Sequence, residues 1–392
     1  MDIFSTRYLR VNKLLLSFIG LWPEQSSSNK DTIFCCTILG ILIVCLPQIT
    51  YLFKHGKTLD DFYNILPTLT GAFLCLMKSV GLRCMIKKLT MLVQHMNYDW
   101  CLLANHKDVR ILIEYIERSR MFTLAYLIFI IVGATSYVTA PLTVPILDFI
   151  LASNVTRPKR LPHPSEFFID LEKYYYILFA ISSVGYIMCI MTVSAIDTMY
   201  FALLQYTCGM LTILSHRLEN LSLSNDKSNR VSKGDKHVSN TIQCVQLHVR
   251  IERLIQLINS TFAISLMTDV GLGVLFQCSS CVMIVTRKDT AEIMKNGPLL
   301  LLQTSRIFFY SWIAQSIIDH SSELSTAAYN GMWYQSSLKA KKMLLFLIAK
   351  CRKPYRITLA KLYVISLEGY SMLMRTSVSY VMLMISLSPN DT

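Results

Sequence analysis

Residues 121–147 read MFTLAYLIFIIVGATSYVTAPLTVPIL, a run without a single Asp, Glu, Lys or Arg. A helix needs about 20 mostly apolar residues to cross the hydrocarbon core of a bilayer, and this run supplies them. Working outward, six further segments meet the same criterion: 33–53, 65–82, 174–204, 262–285, 298–318 and 362–387. The segment 65–82 is short and carries Lys78 near one end, where the ammonium group is expected to snorkel to the interface. The segment 174–204 exceeds one crossing at about 1.5 Å per residue, so its end is expected to project into water.

Composition agrees with a membrane protein. Hydrophobic residues make up 53% of the 392 and charged residues only 16%, against about 25% charged in a soluble domain. The net charge of +13 is spread over many loops, without a basic run interleaved with aromatics, so nucleic acid is not a predicted partner. Membrane lipid is. Near the start, Arg7, Arg10 and Lys13 precede the apolar run 14–22, which resembles a signal peptide. No small-residue cleavage site follows and Trp22-Pro23 ends the run. An amphipathic helix on the inner membrane face is the expectation.

Lys and Arg favour the cytoplasmic side. With the N-terminus inside, the predicted inner segments hold 26 Lys/Arg and the outer loops 9. That asymmetry predicts a cytoplasmic N-terminus and, after seven crossings, an extracellular C-terminus. The orientation is opposite to that of G-protein-coupled receptors. Their D-R-Y and N-P-x-x-Y motifs are also missing, and none of the twelve cysteines falls in a predicted outer loop. The sequon Asn154-Val155-Thr156 lies in the longest outer loop, which makes Asn154 a glycosylation candidate. The resulting organisation is a cytoplasmic segment with an interfacial helix (1–32), a six-helix bundle with cytoplasmic extensions (33–318), a cytoplasmic segment (319–361) and a last helix with a short tail (362–392).

Enzyme signatures are absent: no G-x-S-x-G, H-E-x-x-H, P-loop or G-x-G-x-x-G occurs. Cys278-Ser279-Ser280-Cys281 has metal spacing, but one pair inside an apolar helix favours packing over a four-ligand site. His216/Glu219 and His320/Glu323 share helix faces just beyond the inner membrane edge, where solvated surface is the simpler account. No catalytic residue, metal or cofactor is expected.

Charges inside spans are more informative, because an unpaired one is costly there and tends to mark function. Asp197, Asp269, Arg306, Glu368 and Arg375 are the candidates. Asp197 and Asp269 lie toward cytoplasmic ends, where water can reach them. The last span is polar for a membrane helix, with Ser366, Glu368, Ser371, Arg375, Thr376, Ser377 and Ser379. Ser379, Leu383, Ser386 and Leu387 follow at i, i+4, i+7 and i+8, one helical face. Such a face suits either ordinary helix packing or a narrow pore closed by a hydrophobic constriction.

These residues resemble the insect odorant receptor family. Lys353-Pro354, Thr358, Ser366-Leu367-Glu368 and Thr376-Ser377-Val378-Ser379-Tyr380 look like its C-terminal signature. Ala328-Tyr329, Trp333-Tyr334 and residues 343–349 are similar to the stretch leading into it, and Gly20-Leu21-Trp22-Pro23 matches an N-terminal element. The style is similar to that of hymenopteran members. Specific motifs concentrate in about the last 65 residues; Leu359-Ala360 and Val378 depart from the common pattern.

The resemblance implies a tuning odorant receptor subunit of a tetrameric, non-selective cation channel, pairing with the shared co-receptor Orco in the plasma membrane of olfactory sensory neuron dendrites. It implies a seventh helix split into a cytoplasmic part (343–349) and a pore-lining part (362–387), with permeant cations passing a gate at Leu383 and Leu387, Ser386 lining the filter and Ser379 on the same face. It also implies a small volatile ligand in an apolar outer pocket, for which Phe73, Gly133, Tyr137, Tyr176, Phe179 and Phe276 lie at suitable depth. Each of these aromatics would equally serve as bundle packing. Rival readings are a gustatory-type receptor channel, a secondary transporter with internal repeats, and a metabotropic seven-helix receptor. The orientation predicts that an epitope tag on the first residue is reached by antibody only after cells are permeabilised; labelling of intact cells would overturn the topology.

Overall fold

The computed structural model describes residues 3–56, 59–103, 107–142, 161–221, 230–287, 290–331, 333–359 and 363–387. Among them ten α-helices follow in order: α1 (Arg10–Phe18), α2 (Ser27–His55), α3 (Leu59–Cys84), α4 (Ile86–Leu103), α5 (Val109–Thr139), α6 (Leu171–Glu219), α7 (Arg230–Arg287), α8 (Thr290–Asn330), α9 (Leu338–Cys351) and α10 (Leu367–Leu387). The strands β1 (Thr358–Leu359) and β2 (Tyr363–Val364) pair antiparallel between α9 and α10, with Thr358 opposite Val364.

The seven predicted spans correspond to α2, α3, α5, α6, α7, α8 and α10. Five of these are long and apolar enough to cross a membrane by composition alone: Ser27–His55, Asn64–Cys84, Val109–Leu142, Leu171–Glu219 and His237–Val285. The other two, α8 and α10, carry more polar side chains and both pack against α7. A helix that meets protein on its polar side need not be apolar all round. The result is an all-α membrane fold of seven spans.

Several helices run far beyond a bilayer. At about 1.5 Å per residue, the 58 residues of α7 make a rod of about 87 Å, roughly three times the hydrocarbon thickness. The inner segments expected as loops are therefore mostly helix. In α4 the buried residues Leu89, Leu92, Val93, Met96, Trp100 and Leu103 recur with helical spacing, while Lys87, Lys88 and Gln94 between them lower the average hydropathy and hide the helix from a span search. The cytoplasmic end of α6 also departs from expectation. Rather than entering water, Tyr206, Cys208, Met210, Leu211 and Leu214 are buried. Every residue from 192 to 204 is buried too, so this helix is enclosed on all sides. It contacts α1, α2, α3, α5, α7 and α8 and is the central strut of the bundle.

Packing is uneven along that strut. The main core gathers Phe4, Trp22, Leu92, Ile116, Leu214 and Ile313, mostly toward the cytoplasmic half, whereas the described residues of the outer half form two small clusters. The N-terminal segment contributes to the inner core. Phe4 and Trp22 meet edge to face at 5.0 Å, and the Ile3 amide donates to Asn97 Oδ1 at 3.0 Å. The expected interfacial helix α1 thus buries Leu16 against protein, while Leu14 and Phe18 stay exposed. Gly20, with φ of +70°, makes the turn between them; a Cβ there would lie 2.6 Å from Lys30 O and Phe34 N.

The seventh helix is split as expected, with one correction. Helix α10 starts at Leu367, after the short β pair, instead of near residue 362. Pro354 disfavours helix before it, Ile357, Thr358, Val364 and Ile365 are β-branched, and Ser366 Oγ accepts from the Gly369 amide at 3.1 Å as the helix begins.

Two small residues set the approach of α2 to α6. A Cβ on Gly185 would lie 2.8 Å from Gly40 O and 2.6 Å from Val44 Cγ2. Backbone occupies one side of that contact, so a larger residue has nowhere to go. Gly185→Leu is expected to lower the unfolding midpoint and surface delivery, with a destabilisation of about 1–3 kcal/mol. Gly271→Ala, which meets nothing within 4 Å, should leave both unchanged.

Candidate functional site

Four formal charges lie together at the centre of the bundle. Lys78 of α3 places Nζ 2.5 Å from Asp197 Oδ1 and 2.6 Å from Asp269 Oδ2. Arg306 of α8 places Nε 3.1 Å from Asp197 Oδ2 and NH2 2.5 Å from Asp269 Oδ1. Tyr126 of α5 donates to Asp197 Oδ2 at 2.5 Å, and Tyr310 donates to the other oxygen of the same carboxylate. Lys78 and Asp197 have no accessible side-chain surface. Lys78 therefore does not snorkel, and Asp197 and Asp269 are not wet: the lysine is held inside because two carboxylates and the Tyr310 hydroxyl replace its hydration. Two cations balance two anions, the condition under which buried charges are tolerated.

A cavity of about 120 Å³ opens directly above this set. Val44, Ala72, Cys75, Ile130, Ala134 and Phe276 are among its walls, and Tyr186, Gln303 and Arg306 are its main polar members. On α3, α5, α6 and α7 the lining residues lie on the outer side of Lys78, Tyr126, Asp197 and Asp269 respectively, given the inside N-terminus. On the inward-running α8 they end at Arg306. The charged set is the floor of an otherwise apolar chamber. Higher up, Tyr137, Phe276 and Leu299 form a small cluster with Tyr186 beside it, and Tyr137 donates to Pro162 O at 2.8 Å. The segment after Pro162 is tied down by the Glu166 amide, which donates to Pro47 O at 2.9 Å.

The six residues nominated from sequence depth are placed variously. Phe276 lines the cavity. Tyr137 sits one layer above, its ring 5.1 Å from Tyr186. Gly133 leaves room for Leu302, whose side chain would be 2.7 Å from a Cβ there and which lines the wall. Phe179 is half-buried beside Tyr175. Phe73 and Tyr176 are exposed, at 43% and 66%, on the outside of the bundle. Sequence reasoning missed Tyr186 and Gln303. Gln303 had a signal: it stands one helical turn outward from the intramembrane Arg306.

On α10 the hydroxyls turn back to their own helix. Ser379 Oγ donates to Arg375 O at 3.0 Å and Ser386 Oγ to Leu383 O at 2.8 Å, which satisfies them without a partner helix. Ser377 is buried, and its carbonyl accepts from Cys278 Sγ at 3.7 Å. Leu383 is 53% exposed on the opposite side. The side chain of Leu387 and all of Asn154 lie outside the described residues. His320 is engaged by Tyr115 at 2.7 Å, and no group of three metal-ligating side chains occurs among the described residues.

A helical membrane bundle with an apolar, charge-floored outer cavity and a separate polar last helix has room for one small apolar molecule. The family model described as 7tm Odorant receptor matches residues 58–378, and the chain belongs to that family. The family consists of receptors, not enzymes. Relatives include odorant receptor Or2 of Anopheles gambiae, 22% identical over 73% of this chain and 74% of that protein. Odorant receptor 10 of Aedes albopictus is 27% identical, but the match spans only 38% of its length. The odorant receptor coreceptor of Aedes aegypti is 23% identical over 36% of this chain and 30% of that protein. The olfactory receptor OR5 of Machilis hrabei, solved in complex with eugenol, superposes with a TM-score of 0.81 over 97% of this chain and 98% of its own, at 15% identity.

The balance of the charged floor makes a prediction. Lys78→Met leaves a net negative charge buried and is expected to destabilise by about 3–5 kcal/mol. The double variant Lys78→Met/Asp269→Asn removes one charge of each sign and should recover most of the loss. Surface biotinylation and thermal unfolding of the purified protein measure both; equal damage by the single and double variants would count against it.

Proposed function

We propose that this chain is a tuning odorant receptor subunit of an odour-gated, non-selective cation channel. A small volatile binds the cavity above Lys78, Asp197, Asp269 and Arg306, and the pore is shared with the co-receptor in a heterotetramer at the plasma membrane. The observation that carries the reading is the path from cavity to last helix. Phe276 lines the cavity, and its neighbour Gln277 places Nε2 3.1 Å from Thr304 Oγ1 and 3.3 Å from Met374 Sδ of α10. A ligand that displaces Phe276 therefore acts on the helix bearing Ser379 and Leu383 within one side chain's reach. The ligand shifts the equilibrium by its differential affinity for the state with those helices apart. Leu383 and Leu387 form the hydrophobic constriction, and Ser386 lines the pore beside them. The match to odorant receptor coreceptors supports the pairing. The exposed Leu338, Leu345 and Phe346 of α9 offer an apolar face for neighbouring subunits.

Cells expressing this chain with the co-receptor should give odour-evoked cation current that persists under complete G-protein blockade. Loss of the current under blockade would favour a metabotropic receptor. Leu383→Ala, at an exposed position, should fold normally and raise the current measured without odour.

A further inference from the structure

Among the described residues the cavity has one charged side chain in its lining, Arg306, and that charge is already in use. Arg306 directs Nε to Asp197, NH2 to Asp269 and NH1 to Gln303 Oε1, the last at 2.7 Å. Both carboxylates are shared with Lys78. Two positive and two negative groups are matched, so a ligand carboxylate or ammonium would be buried with no counter-ion, an arrangement proteins avoid.

The uncharged polar groups are different. Gln303 is only 5% exposed. A guanidinium can only donate, so its contact with Oε1 settles which corner of the amide is nitrogen. That nitrogen lies over Gly273, where a Cβ would come within 2.4 Å of it, and it has no hydrogen-bond partner. Tyr186, also in the lining, is half-buried with its ring held beside Tyr137, and its hydroxyl makes no hydrogen bond to another described residue. Buried polar groups are ordinarily paired. Here a buried amide nitrogen has no acceptor, and a half-buried hydroxyl in the same chamber is free to serve one.

We infer that the cavity selects a small neutral volatile with one acceptor oxygen, such as a ketone, aldehyde or ester, which one of two donors in the wall holds, the Gln303 amide nitrogen near the floor or the Tyr186 hydroxyl higher up. The inference rests on the reading of this cavity as the odorant site. Size points the same way: an apolar cavity of about 150 Å³ accommodates benzene, so about 120 Å³ suits one ring or a short chain. The remaining lining is mostly apolar, and a few polar groups orient the molecule, the usual division of labour in small-molecule pockets.

The test is direct binding to the full-length chain in lipid nanodiscs, read by thermal shift and by competition. The probes are two near-isosteric pairs: acetophenone with α-methylstyrene, and hexan-2-one with 2-methylhex-1-ene; benzoate is the charged control. In at least one pair the carbonyl compound is expected to bind about tenfold more tightly than the alkene, the effect of one buried hydrogen bond. Tyr186→Phe keeps the ring against Tyr137 and Gln303→Met keeps the chain length; at least one of the two should shrink that preference, while alkene binding is unchanged. Equal binding within both pairs, tighter binding of the alkenes or of benzoate, no binding by any neutral probe, or full preference in both variants would overturn the inference. Carbonyl-selective binding without evoked current in co-expressing cells would instead refute the channel reading and leave the inference intact.

Discussion

A lysine and an arginine enclosed in the middle of a membrane bundle can persist only if every positive charge has a negative one within contact distance. Lys78, Asp197, Asp269 and Arg306 meet that condition through four contacts between 2.5 and 3.1 Å, and they come from four different helices. The set therefore dictates how α3, α6, α7 and α8 are rotated about their axes and how far each slides along its neighbours. Apolar packing alone would not, because lipid tails solvate a leucine about as well as a neighbouring helix does. Tyr126 adds α5 to the same knot. Any rearrangement that separates one partner leaves an unpaired charge in a medium that does not tolerate it.

That knot divides the molecule into two regimes. Toward the cytoplasm, helices much longer than a bilayer bury α6 on every side and recruit α1, α4 and the N-terminal turn into one dense core. Toward the outside, the same helices part over the knot and leave a chamber beside two small clusters of described residues. The dense packing of the lower half and the sparser packing of the upper half thus meet at the charged floor. Gln277, the neighbour of the lining residue Phe276, contacts Met374 of the last helix.

Much of this was legible in the chain itself. The apolar runs, the 26-to-9 division of Lys and Arg, the proline at 354 and the polar character of the last span were enough for the fold class, the orientation and the split of the seventh helix. Less was legible where polar and apolar residues alternate with helical spacing, as in α4, because average hydropathy then resembles that of a loop. The site was the least legible part. Phe73 and Tyr176 have suitable depth along their helices but lie on the outside of the bundle, while Tyr186 and Gln303 face the cavity with no motif to announce them.

The sequence alone decides how many times the chain crosses the bilayer and which way it runs, because those depend on the transfer free energy of each segment and on loop charge, both local properties. Which side of a helix faces inward depends on contacts among residues as distant as Lys78, Asp197, Asp269 and Arg306. Only the tertiary structure brings those four charges together, turning a lysine that looked able to snorkel into the floor of an apolar chamber.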